Sequence, residues 1–93
     1  MSRQFQLIVE GKSYEAIAVL AAHPGRAVLI SMMLEGSEVG LVKLTSSLPM
    51  AALRRTALTD TQFLDEACEQ FRDRQLAARA LQSSDRPWIL ELE

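Results

Sequence analysis

The sequence predicts an α+β fold in two layers: a four- to five-stranded, mostly antiparallel sheet with one long C-terminal helix packed on one of its faces. Three observations predict it. Runs of apolar and β-branched residues fill the first half, alternating with period two and cut by glycine-bearing turns. A long segment of helical period follows, opened by a capping signature. A short apolar run, Trp88 to Leu92, comes after Pro87 and reads as a last strand.

Phe5, Leu7 and Val9 alternate with Gln4, Gln6 and Ile8, the pattern of a strand with one buried face. Glu10-Gly11-Lys12 is its turn, with Gly11 supplying positive φ. Tyr14 to Ala22 admits two readings. As a helix it has Ser13 for an N-cap and good helix formers. As a strand it sets Ile17 and Val19 on one face and Tyr14, Ala16, Ala18 and Leu20 on the other. The tight turn before it favours the strand. His23-Pro24-Gly25-Arg26 is a turn by composition. Ala27 to Leu34 is the clearest strand, apolar on both faces: Val28, Ile30, Met32 and Leu34 on one, Ala27, Leu29, Ser31 and Met33 on the other. Glu35-Gly36-Ser37-Glu38 turns the chain into the run Val39 to Thr45, where Gly40 suggests a bulge or a close backbone approach.

Pro49 opens a short helical stretch, Met50 to Leu58, as proline does in a first turn. Thr59 and Gln62 then have capping-box spacing. From Asp60 the pattern predicts a single helix to about Leu81. Leu64, Ala67, Phe71 and Ala78 form its apolar stripe, flanked by Phe63, Cys68 and Leu81. Asp65, Glu66, Glu69, Arg72 and Asp73 face away. Acids lead and arginines trail, which suits the helix dipole.

Composition narrows the function classes. Ninety-three residues are read as one domain, residues 1–93, able to bury a modest core. Hydrophobic residues are 48% and charged residues 24%, ordinary globular usage. A net charge of −2 gives no footing for a polyanionic partner, so nucleic acid is disfavoured. No run of ~18 apolar residues is present and Met1 to Gln6 reads as strand entry, so no membrane role and a cytoplasmic location are expected. Eight arginines against two lysines point to a GC-rich, bacterial genome.

Chemistry-bearing residues are sparse. The lone histidine, His23, sits beside Arg26 in a Pro-Gly turn, a small anion nest or simply a solvated turn. Cys68 lies on the apolar stripe and reads as a small core hydrophobe rather than a nucleophile. One cysteine and one histidine cannot close a zinc site, so no metal and no cofactor are expected. The carboxylates Asp65/Glu66/Glu69 and Glu91/Glu93 fall on solvated faces, whereas acid–base catalysis needs a desolvated one. Ser13, Ser46-Ser47 and Ser83-Ser84 have no base at useful spacing. Four scattered glycines make no phosphate loop. The expectation is that this is not an enzyme.

What remains is an apolar excess. A helix shields one sheet face, yet Ile17, Val19, Leu29 and Met33 alternate onto the other, joined by Ile8. Leu76 also falls on the charged side of the expected long helix, with Ala80 one turn on. Either the segment Met50–Leu58 wraps that face or a partner covers it, a second copy being the most economical. The expected role is therefore a protein-interaction module, with Leu29, Met33, Ile17, Val19 and Leu76 as its contact residues. The competing class is a nucleic-acid binder contacting anions through Arg26, Arg54 and Arg55, with Arg3 or Arg86 if the fold brings them near. Aromatics at 5% serve base stacking poorly.

Overall fold

The structure, a computed structural model, describes residues 1–22, 25–46, 49–73, 75–83 and 85–91, with the side chain of Ala51 left aside. The chain runs β1 (Ser2–Val9), β2 (Lys12–Ala21), β3 (Ala27–Leu34), β4 (Ser37–Thr45), α1 (Pro49–Thr56), α2 (Asp60–Asp73), α3 (Leu76–Gln82) and β5 (Trp88–Glu91). The strands form one five-stranded sheet in the order β1-β2-β3-β4-β5. The first four are an antiparallel meander. Strand β5 then joins β4 in parallel, making the sheet mixed rather than purely antiparallel. Parallel neighbours need a crossover connection, and the segment carrying α1, α2 and α3 between β4 and β5 provides it.

Both short hairpins use the same two-residue device. Glu10 and Gly11 have φ of 51° and 80°, and Glu35 and Gly36 have 52° and 82°. Positive φ at both central positions marks a type I′ turn, whose twist matches the flanking strands. Tyr14 to Ala21 is strand, because the tight turn returns it directly onto β1. In β4 the register slips: Met32 lies opposite Gly40 and Met33 opposite Glu38, leaving Val39 as a bulge residue. Gly40 also lies under α3, where an added Cβ would stand 3.5 Å from the Ala80 carbonyl oxygen and 3.5 Å from Leu81 Cδ2.

The capping box forms at the start of α2. Thr59 N–H donates to Gln62 Oε1 at 3.0 Å, and Gln62 N–H donates to Thr59 Oγ1 at 3.1 Å. The single long helix does not. After Asp73 the path changes: Gln75 takes a left-handed conformation, φ 54° and ψ 30°, and α3 starts afresh at Leu76. The break swings the second segment onto β4 and the first onto β1 and β2. It also changes which residues are buried. Leu76, Ala77 and Ala80 enter the core while Ala78 is only half-buried.

The core lies between the sheet and these helices. Tyr14, Ala16, Ala18, Val28, Ile30, Met32, Val42 and Leu44 face Phe63, Leu64, Ala67, Cys68 and Phe71 of α2 and the three buried residues of α3. Small Ala16 and Ala18 on β2 make room for the phenylalanines above, both fully buried. Each such ring contributes about 2–3 kcal/mol relative to exposure. Among the described residues no helix is long and apolar enough to cross a membrane.

Candidate functional site

Strand alternation and register build the opposite face residue by residue. Val19 of β2 pairs with Leu29 of β3, Leu29 with Lys43 of β4, and Lys43 with Ile89 of β5, so these four side chains form one row. Two residues along, Ile17, Ser31 and Leu41 form a second row. Met33 occupies a third, between Glu15 and Glu38. Ile8 stands at the corner beside Ser13.

Exposure grades outward from the middle. Ile17, Leu29, Met33 and Leu41 are half-buried by their neighbours in the sheet. Val19 is 43% exposed, Ile89 59% and Ile8 79%. None of these residues belongs to the core or to the apolar side chains packed against it. Nor does α1 shield them. Its apolar side chains Met50 and Leu53 are 80% and 71% exposed, and Arg55, the buried residue among its described side chains, turns toward α2. Five strands at ~4.8 Å spacing and about eight residues at ~3.3 Å rise give this face an area of roughly 600 Å².

Leu76 is a correction. Continuous helical geometry assigns it to the charged side of a single helix. The break at Gln75 rotates it inward, and it is 8% exposed in the core, out of reach of any partner. The proposed contact set keeps Ile17, Val19, Leu29 and Met33 and gains Leu41 and Ile89. Leu41 escapes sequence reasoning because the Val39 bulge resets the alternation of β4, and nothing but Gly40 signals where the reset falls.

The arginines serve the fold. Arg26 donates from Nη1 to the Leu58 carbonyl at 2.8 Å and from Nη2 to the Arg55 and Thr56 carbonyls at 3.2 and 3.1 Å. Those carbonyls lie at and just beyond the end of α1, where helical donors run out; the Arg55 carbonyl also accepts from Leu58 N–H at 3.2 Å. Its guanidinium also lies over the Phe63 ring, 5.2 Å from the centroid. Arg55 is buried and ion-paired with Glu66, so Glu66 is not on a purely solvated face. Neither arginine is presented to an anionic ligand as a nucleic-acid contact needs. Arg54 is exposed on α1. Arg3 pairs with Asp65 at 3.1 Å, and Arg86 donates to the Val39 carbonyl at 2.8 Å on another side of the molecule. The fold brings Arg26 to the end of α1 that carries Arg54 and Arg55, and leaves Arg3 and Arg86 paired elsewhere.

Cys68 is 3% exposed, and burial is the main cause that pushes its thiol above the ordinary value of 9.0, with Arg72 drawing it partly back. A protonated, enclosed thiol is a poor nucleophile. His23, Pro24, Ser47, Ser84 and Glu93 lie outside the described residues, and Ser13 is exposed. Among the described residues no group of three His, Cys, Asp or Glu side chains comes together to hold a metal. Compared with known protein families, curated proteins and solved structures, the chain matches none of them.

Proposed function

We propose that this protein is an interaction module that self-associates by packing the outer face of its sheet against that of a second copy. The observation that carries the reading is the uncovered pair of rows, Val19–Leu29–Lys43–Ile89 and Ile17–Ser31–Leu41, with every described core helix contact made on the other face. Leaving such a face wet forgoes about 25 cal/mol for each Å² it could bury. Two faces of roughly 600 Å² bury about 1,200 Å² in total, at the lower end of specific, stable interfaces. Sheets packed face to face sit ~10 Å apart with strands within about 30° of alignment, which lets Leu29 and Ile17 of one copy interdigitate with those of the other. Lys43 is the cation of this face, and Glu15 and Glu38 edge it. Glu38 is held by Arg86 at 3.7 Å, so Glu15 is the carboxylate that a second copy brings toward the lysine of the first.

Sedimentation equilibrium from low to high micromolar protein tests this. The expected result is a monomer–dimer equilibrium for the wild type and a monomer for Leu29→Glu, with the circular dichroism of the variant unchanged because Leu29 is outside the core. A wild-type protein that stays monomeric over the whole range overturns the reading.

A further inference from the structure

The sheet has a second unfinished surface, its β1 edge. Antiparallel neighbours alternate between pairs that exchange both backbone hydrogen bonds and pairs that exchange none. Leu20 N–H donates to the Met1 carbonyl at 3.1 Å. By that alternation Arg3, Phe5, Leu7 and Val9 direct their backbone groups at β2, and Ser2, Gln4, Gln6 and Ile8 turn theirs to the open side. The Ser2 carbonyl accepts from Arg3 Nη1 at 3.1 Å. Gln4, Gln6 and Ile8 present the repeat that an added strand needs.

Edge strands are usually blunted by brevity, proline, lysine or a bulge. The other edge, β5, is four residues long and follows Pro87. Strand β1 has eight residues, with no proline, glycine or lysine. Its one charge, Arg3, is already paired with Asp65.

A groove runs beside this edge, under the helices. Near Phe5 it opens into a cleft of about 500 Å³ walled by Asp65, Glu69 and Asp73 of α2, with Arg3 and Arg72 also in its lining. Near Leu7 and Val9 it continues as a hollow of about 300 Å³ lined by Ala77 and Ala78 of α3. Arg72 borders both, but its guanidinium is stacked over the Phe5 ring, 4.8 Å from the centroid. One end thus sets three carboxylates against two guanidiniums, a net negative charge, and the other sets the apolar Leu7, Val9, Ala77 and Ala78 beside Glu10 and Gln75.

We infer that β1 is a strand-addition site for an extended segment of a partner protein, one that carries a basic side chain toward Glu69 and Asp73 and an apolar one toward Ala77 and Ala78. Main-chain bonds to Gln4, Gln6 and Ile8 supply the docking, and the alternate side chains supply the choice of sequence. A second copy's β1 is a poorer occupant. Bonding must run through the even-numbered residues of both strands, which keeps both helical layers on one side of the joined sheet. The α2 edge, where Arg3 is paired with Asp65 and Glu69 and Asp73 outnumber Arg72, then meets its own copy, and the net like charge opposes the pairing. The face-to-face dimer uses another surface and leaves this edge open.

The test is NMR titration of the full-length, 15N-labelled protein with the capped heptapeptide Lys-Thr-Val-Thr-Val-Thr-Lys. Saturable shifts are expected at the amides of Gln4, Gln6 and Ile8. Methylating alternate peptide amides on the bonding side should abolish them, since that removes the ladder donors. The double variant Glu69→Lys/Asp73→Lys should weaken binding about five- to tenfold, as loss of two exposed charge pairs implies. These positions are solvent-facing, so the variant is expected to fold, and its amide spectrum checks that it has. Three outcomes overturn the proposal: no shift at the edge amides at millimolar peptide, equal binding of the methylated peptide, or equal binding when glutamate replaces both lysines.

Discussion

Single side chains decide whether the core holds. Phe71 is fully buried and meets Phe5 edge to face, ring centroids 6.4 Å apart and planes at 71°. Phe71→Ala removes the ring from under the helix and leaves a cavity, so chemical denaturation should show a loss of about 3–5 kcal/mol. Cys68 tests the same interior differently. Its folded thiol pKa is raised above 9.0, chiefly by burial. A group of raised folded pKa contributes stability that is intact below its unfolded value and lost as pH climbs through the folded one. The stability of the wild type should therefore fall above about pH 9 more steeply than that of Cys68→Ala, and the two pH slopes should coincide between pH 6 and 8. Alkylation of the native thiol should be slow and should accelerate on unfolding. Native labelling at the rate of a free thiol would place Cys68 at the surface. Arg55 illustrates a residue whose role composition hides. Two adjacent arginines suggest a basic patch, yet one is buried against Glu66 and its neighbour Arg54 is exposed.

At the scale of elements, the strands were legible, β2 only through the tight turn before it, and the helix was only half so. A period of two needs nothing beyond the local sequence, and the two Glu-Gly turns fix where each run reverses. The capping box at Thr59 and Gln62 is likewise local, and Thr59→Ala should lower stability by about 1 kcal/mol in thermal or denaturant melts. The break at Gln75 has no such signal, since neither proline nor glycine marks it and the surrounding residues favour helix. Tertiary contacts decide it. Extended as one rod, the helix leaves Leu76 and Ala80 wet, whereas one left-handed residue turns both onto the sheet. Those two off-stripe residues are the trace of the break that the sequence does carry. A left-handed non-glycine residue is strained by about 1–2 kcal/mol, and glycine's larger unfolded-state freedom offsets part of that relief. Gln75→Gly should consequently raise stability by about 0.5–1 kcal/mol. If one continuous helix formed in solution, the same substitution would instead destabilise it by about 1 kcal/mol. The sign of the change discriminates between the two.

For the molecule as a whole, the helical layer closes one face of the sheet and leaves the other face and one edge unfinished. The apolar back was legible because alternation divides Leu29 and Met33 from Val28, Ile30 and Met32 wherever the helices lie. Its full extent was not, because the parallel pairing that adds Ile89 and the bulge that exposes Leu41 are set by contacts distant in sequence. If two copies join through this face, folding and association are linked. A dimer binds native chain and not unfolded chain, so mass action raises the melting temperature as protein concentration rises. The wild type should melt progressively higher from low to high micromolar protein, while Leu29→Glu should melt at one temperature throughout. Salt gives the second axis. An interface of apolar rows with one lysine should lose little affinity between low and moderate ionic strength, because screening acts on exposed charge and not on apolar burial. Sulfate, which strengthens apolar burial, should tighten it. An association that weakened steeply with sodium chloride would instead locate the contact on the charged rim around Glu15, Glu38 and Lys43, and the apolar rows would lose their role.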